Sequence, residues 1–166
     1  MNDSTHPEPR LQDRPEQPYA GIRTRAALTE WGGVNALVGE LLGWLDRHGV
    51  PPAGPPLYRY RLIGGPTDPF DVEVGIPVAG PVAGDDRVRG GVLPAGRYLV
   101  LEHHGHLDSI AASHTALVDW AEAHAIRLTG SPDRLRWDVM FESYRTDPEA
   151  EPDPRRWVTE LVYLTG

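Results

Sequence analysis

Two helical apolar stripes, each framed by segments of period two, limit how this chain can fold. Val34, Leu37, Val38, Leu41, Leu42 and Leu45 recur at helical spacing and make one amphipathic helix. Gly49 ends it, and Pro51-Pro52 prevents its continuation. A second stripe runs Ile110, His114, Leu117, Val118 and Ala121, with Asp108 or Ser109 able to cap it. Strands are expected over residues 17–24, 56–63 and 70–78 around the first helix. They are expected again over 95–104, 137–146 and 157–164 around the second. In residues 70–78, Phe70, Val72, Val74 and Ile76 fall on one face, with Asp71 and Glu73 opposite. The chain therefore reads β-α-β-β twice. Element order, more than residue identity, argues for duplication.

Each helix can cover only one face of its three strands, so the uncovered faces must meet or enclose something. The expected fold is α+β: a duplicated β-α-β-β module with pseudo-two-fold symmetry and a ligand cleft between the halves. Residues 1–15 read as a loose polar arm, with a short strand near Leu11. One domain spans 16–166, with its repeats at about 17–78 and 94–165. Residues 80–91 read as a charged loop. In this frame Glu73 corresponds to Glu160, and strand 56–63 to strand 137–146.

The most informative stretch is WDVMFESYRTD, residues 137–147. Alternation puts Trp137, Val139 and Phe141 on one face, and Asp138, Met140, Glu142 and Tyr144 on the other. A carboxylate between a methionine and a tyrosine in a β-rich segment costs free energy unless something pairs with it. Glu142 is either satisfied by Arg59 or Arg61 on the matching strand, or it waits at the floor of a pocket.

Composition removes several alternatives. The 166 residues carry a formal net charge of -8, and all 16 basic residues are arginine and scattered. Direct nucleic-acid binding is disfavoured, and no Schiff-base lysine exists. With no cysteine there is no disulfide, thiolate metal site or cysteine nucleophile. No stretch is long and apolar enough to span a bilayer, and the N-terminus lacks a signal pattern, so a cytoplasmic protein is expected.

Taken in order, GELLGWLDRHGVPPAGPPLYRY, FDVEVGIPV, VLPAGRYLVLEHHGHLDSI, FESYRTDPEAEPDP and WVTELVYL resemble the GyrI-like small-molecule-binding domain, the effector-binding domain of AraC-type and MerR-type regulators. The resemblance covers nearly everything from Pro18 onward. It implies the duplicated fold with a central cleft. It also implies recognition of hydrophobic, often cationic or planar, compounds, with a glutamate in an aromatic-Glu-x-Tyr context at the pocket floor. That glutamate matches Glu142. Regulators of this type carry a helix-turn-helix domain ahead of the pocket; only a short arm precedes it here, so the expectation is the pocket alone. Some stand-alone members are hydrolases that open a strained cyclopropane ring in genotoxic natural products. Others are thought to restrain gyrase.

The candidate ligand-binding set is Glu142, Tyr144, Tyr60, Tyr58, Trp137, Met140, Trp31 and Glu160. For a hydrolase, Glu142 would be the general base, its pKa raised by burial, with Tyr60 or Tyr144 assisting. For a binder, Glu142 and the rings would attract a cation together. Tyr58, Tyr60 and Tyr144 wall a flat ligand or pack at a sheet edge. Trp31, beside a Gly-Gly hinge, is a pocket lid or a hydrophobic staple. Trp44, Trp120 and Trp157 read as structural. Glu160 and Glu73 bring further acid to the cleft or satisfy neighbouring arginines. No metal or cofactor is expected: His103 and His104 point to opposite faces of a strand, and His114 reads as a satisfied core histidine. Ser109 and Ser113 show no nucleophile elbow. The expected partner is a hydrophobic or cationic small molecule, with a protein partner as the further alternative.

Overall fold

The computed structural model describes residues 7–166, so the start of the polar arm, residues 1–6, lies outside the described residues. Eight strands form one antiparallel sheet: β1 Arg10–Arg14, β2 Gln17–Ala26, β3 Leu57–Leu62, β4 Phe70–Pro77, β5 Arg89–Leu93, β6 Gly96–His104, β7 Met140–Tyr144 and β8 Val158–Leu164. Helix α1 spans Trp31–Arg47 and α2 spans Ile110–Ala123.

The sheet order is β1-β6-β8-β7-β3-β4-β2-β5. Outward from the β7/β3 junction, β7-β8-β6 mirrors β3-β4-β2, as two like modules about a two-fold axis would give. Tyr58 stands opposite Glu142 at that junction. The leading strand of each half crosses over: β1 pairs with β6, and β5 with β2. Only Pro15 and Glu16 join β1 to β2, although these strands lie near opposite ends of the order. The sheet must therefore curl until its ends approach.

The short strand expected near Leu11 is β1, Arg10–Arg14, and its pairing along β6 fixes that part of the arm. One strand differs from the sequence reading. Part of the charged loop is β5, whose Arg-Gly-Gly start has little strand propensity of its own. Gly91 is needed there, because a Cβ at that position would lie 2.5 Å from the Tyr19 ring.

The helices cover one face. Leu41 and Leu45 of α1 and Leu117 and Val118 of α2 pack onto Val72, Val74, Ile76, Leu99 and Leu161. Each fully buried aliphatic of this kind contributes roughly 1.5–3 kcal/mol. The helix-free face carries a smaller cluster that includes Tyr19, Leu57, Tyr98, Val100, Phe141 and Val162. Within α1, Leu42 of the stripe is 41% exposed, whereas Trp44 is buried.

The two helices end alike. His48 stacks on Trp44 and His124 on Trp120, with ring centroids 3.9 Å apart in each case. Each imidazole Nδ1–H donates to the tryptophan carbonyl at 2.8 Å. The next residue turns left-handed, Gly49 with φ 67 and Ala125 with φ 55. The residue after that donates back, Val50 to the Leu45 carbonyl and Ile126 to the Ala121 carbonyl. Trp-x-x-x-His is thus a repeat at the level of residues, where the sequence reading saw only element order. At the start of α2, neither Asp108 nor Ser109 caps with its side chain; His106 accepts from the Asp108 N–H in the preceding 3-10 turn. Among the described residues, no helix is long and apolar enough to cross a membrane.

Candidate functional site

Strand alternation brings Glu142 to the helix-bearing face, where the sheet offers it hydroxyls instead of arginines. Tyr58 and Tyr60 lie on that face of β3, and Tyr144 lies on that face of β7. The Tyr60 hydroxyl donates to Glu142 Oε1 at 3.0 Å, and the Tyr144 hydroxyl donates to the same oxygen. His114 reaches down from α2, with Nε2 2.7 Å from Glu142 Oε2. Its Nδ1 meets the Tyr163 hydroxyl of β8 at 2.5 Å. An ionised carboxylate only accepts, so the His114 Nε2–H donates to Glu142.

Burial pushes the Glu142 carboxyl up, but the His114 hydrogen bond and charge, then the Tyr144 and Tyr60 hydroxyls, outweigh it and hold the group below its ordinary value. This corrects the expectation that burial would raise it towards a general base. Burial and the Glu142 charge push Tyr58 up to about 12, and raise Tyr60 and Tyr144 well above the usual phenol range. The three phenols therefore stay protonated donors beside an anion. Two hydroxyls bind Oε1 and one imidazole binds Oε2.

Aromatic rings close over this group. Trp31, the first residue of α1, stacks parallel to Tyr60 with centroids 6.2 Å apart, and meets Phe70 edge-on at 5.1 Å. Tyr58 is edge-on to Tyr144 at 4.8 Å and donates to Asn35 Oδ1 of α1 at 2.7 Å. Trp137 is edge-on to Tyr163 at 4.9 Å. Met140 is buried on the same face, across from Tyr163. Gly32 and Gly33 lie inside the first turn of α1, not in a hinge before it, and a Cβ on either would meet nothing.

Three expectations need correction. Glu160 is not in the cleft: it lies on the helix-free face, held by Arg145 at 3.0 Å, Arg14 at 3.1 Å and Arg10 at 3.7 Å. Glu73 is likewise on that face, bound by Arg61 at 3.0 Å and by the Tyr19 hydroxyl at 2.6 Å. The second correction concerns Arg59 and Arg61, which serve the same face, so neither is the partner of Glu142. The third concerns Trp137, which joins the helix-side cluster and not the face of Phe141. Its N–H bonds to the Arg61 carbonyl and that of Asp138 to Thr129, so regular alternation starts only at Met140.

The family of GyrI-like small molecule binding domains matches residues 7–162. The chain belongs to this family. Among solved structures, the C-terminal domain of EcmrR superposes with a TM-score of 0.80 at 18% identity, covering 96% of this chain and 97% of that one. In the EcmrR–DNA complex the chain spans 57% of the EcmrR chain, with a TM-score of 0.81. A hydrolase from Listeria innocua gives a TM-score of 0.66 at 14% identity, covering 96% of this chain and 92% of that one. SAV2435 bound to tetraphenylphosphonium gives 0.61 at 13%, covering 96% and 94%. At such identities the likeness is one of fold. A search of curated proteins finds no match.

Within this GyrI-like domain, His114 and Tyr163 join the cluster around Glu142, and sequence reasoning did not assign them to it. His114 was visible as the only polar group on the second apolar stripe, but nothing in a helical period names its target across the sheet. His103, by contrast, is tied into the β6–α2 turn: Nε2–H donates to the His106 carbonyl at 2.9 Å, and Nδ1 lies 2.7 Å from the Ser113 hydroxyl.

Proposed function

We propose that the helix-bearing face binds a hydrophobic cation, with Glu142 as the anionic anchor. Tyr58, Tyr60, Tyr144, Trp31 and Trp137 would form the aromatic wall. One observation carries this reading: among the described residues, two hydroxyls and one imidazole bind the buried Glu142 carboxylate and hold it below its ordinary value, and no arginine pairs with it. Charge and ring faces then attract a cation together. Trp31 stacks on Tyr60, which bonds the carboxylate, so a ligand reaching Glu142 from that side would displace Trp31 and the first turn of α1. Gly32 and Gly33 make that turn the least costly part of the helix to open.

A hydrolase is the second reading, because the Tyr163–His114–Glu142 hydrogen-bonded chain could relay a proton during ring opening of a reactive natural product. It ranks lower, since a carboxylate held below its ordinary value is a weak base at neutral pH. A protein-interaction role such as gyrase inhibition also suits a face closed by its own rings, but gives a buried carboxylate held below its ordinary value no use.

Tryptophan fluorescence against tetraphenylphosphonium and tetraphenylborate separates these, since the two ions share a shape and differ in sign. The phosphonium should quench saturably, the borate should not, and E142Q should weaken the phosphonium at least tenfold. Equal binding of both ions, or an unaffected E142Q, would sink the proposal. Mass spectrometry on cyclopropane-bearing electrophiles tests the hydrolase: gain of water with wild type and not with E142Q would promote it.

A further inference from the structure

The helix-free face of the first half carries a cavity of about 870 Å³, lined by six arginines and three acids. That is an excess of positive charge in a chain whose formal net charge is -8. Two of the acids are engaged: Arg23 grips Asp71 through two hydrogen bonds of 2.9 and 2.6 Å, and Arg61 holds Glu73 at 3.0 Å. The third, Asp86, is exposed, and Arg87 pairs outside the cavity with Glu40 at 2.6 Å. Among the described residues, Arg25 and Arg89 have no ion-pair partner. Arg59 adds an unsatisfied donor. Its terminal nitrogens donate to the Tyr19 hydroxyl and the Asp138 carbonyl, while its buried Nε–H has no acceptor. A buried donor in that state costs about 1–3 kcal/mol.

The second half shows what the same framework does without this excess. Arg10 lies across from Val100 where β1 meets β6, and Arg89 lies across from Gly21 at the matching place where β5 meets β2. Arg10, Arg14 and Arg145 all converge on Glu160. The cavity beside them is smaller, about 370 Å³. In the first half, Arg89 has no such target.

We propose that this arginine-lined cavity is a second ligand site, for a small polyanion bearing phosphate or carboxylate groups. The volume suits a small molecule. Guanidinium forks match both oxyanions bidentately, and an oxyanion seated against Arg59 would supply its missing acceptor. The site is independent of Glu142, which lies on the opposite face of the sheet.

The test is thermal unfolding and calorimetric titration with inorganic pyrophosphate and with citrate, each against sodium chloride at matched ionic strength. Wild type should show a saturable rise in Tm with at least one of them. R25Q/R89Q removes two exposed arginines that hold nothing together, so it should fold as wild type and bind at least tenfold more weakly. E142Q should bind as wild type does. Saturation at lower pyrophosphate than citrate assigns the site to phosphate, and the reverse order to carboxylate. No rise beyond the chloride control, or an unaffected R25Q/R89Q, overturns the proposal.

Discussion

The two faces of the sheet treat the pseudo-two-fold axis differently. On the helix-free face the acids keep the symmetry: Glu73 of β4 and Glu160 of β8 hold corresponding places, and each is bound by arginine. On the helix-bearing face it is broken: Glu142 stands opposite Tyr58, and the place of His114 in α2 is held in α1 by Val38. All three glutamates are 6% exposed, so burial does not distinguish them. Their partners do. Guanidinium groups bind Glu73 and Glu160, whereas two hydroxyls and one imidazole bind Glu142. The proposed cation site rests on that difference.

The strongest way to break this contrast is to remove each charge and measure cation affinity. E142Q should weaken tetraphenylphosphonium roughly 30-fold, about 2 kcal/mol. E160Q should leave it within about twofold, because its arginines already screen that charge. Similar losses in both variants would mean that the net charge of the domain, and not the site, attracts the cation.

Stability should divide the same way, with smaller effects. E142L strands two buried hydroxyls and an imidazole, and should cost about 3 kcal/mol in chemical denaturation. E160L should cost only about 1 kcal/mol, since Arg10 and Arg145 are each 48% exposed and can turn to water. Acid should erase the first difference. The folded carboxyl of Glu142 lies below its unfolded value, so the folded state binds fewer protons and the stabilisation is complete above about pH 4.3. It drains as pH falls from there towards the folded pKa. The stability gap between wild type and E142Q should therefore narrow below about pH 4.3. A gap that widens in acid would show the opposite shift.

How much of this was legible depends on which kind of neighbour a residue meets. Glu142, Tyr144 and Met140 share a face by simple alternation, and Tyr60 joins them because its strand pairs beside theirs. The helices followed from their stripes. Glu160 was misplaced because a period of two says that Glu and Val lie on opposite faces, but not which face carries the helices. Trp137 was misplaced because its N–H bonds outside the regular ladder shift the alternation. β5 was missed because its stability comes from pairing with β2 and from the fit of Gly91 to Tyr19, which no local propensity records.

The smallest effect tests the symmetry that is kept. Both helices close with a tryptophan-stacked histidine and a left-handed residue, but the first uses Gly49 and the second Ala125, at φ 67 and 55. An alanine in that region crowds its Cβ against the backbone, whereas glycine adopts it freely and loses more entropy on folding. At a helix end the first term prevails. A125G should therefore stabilise by about 0.5–1 kcal/mol, read as a rise in denaturation midpoint with an unchanged m-value. The reverse exchange, G49A, meets no atom within 4 Å, so only the backbone opposes it, and it should destabilise by a similar amount. Equal and opposite shifts would show that the two ends are one structural solution used twice. Unequal shifts would locate a further asymmetry in the contacts that each histidine makes.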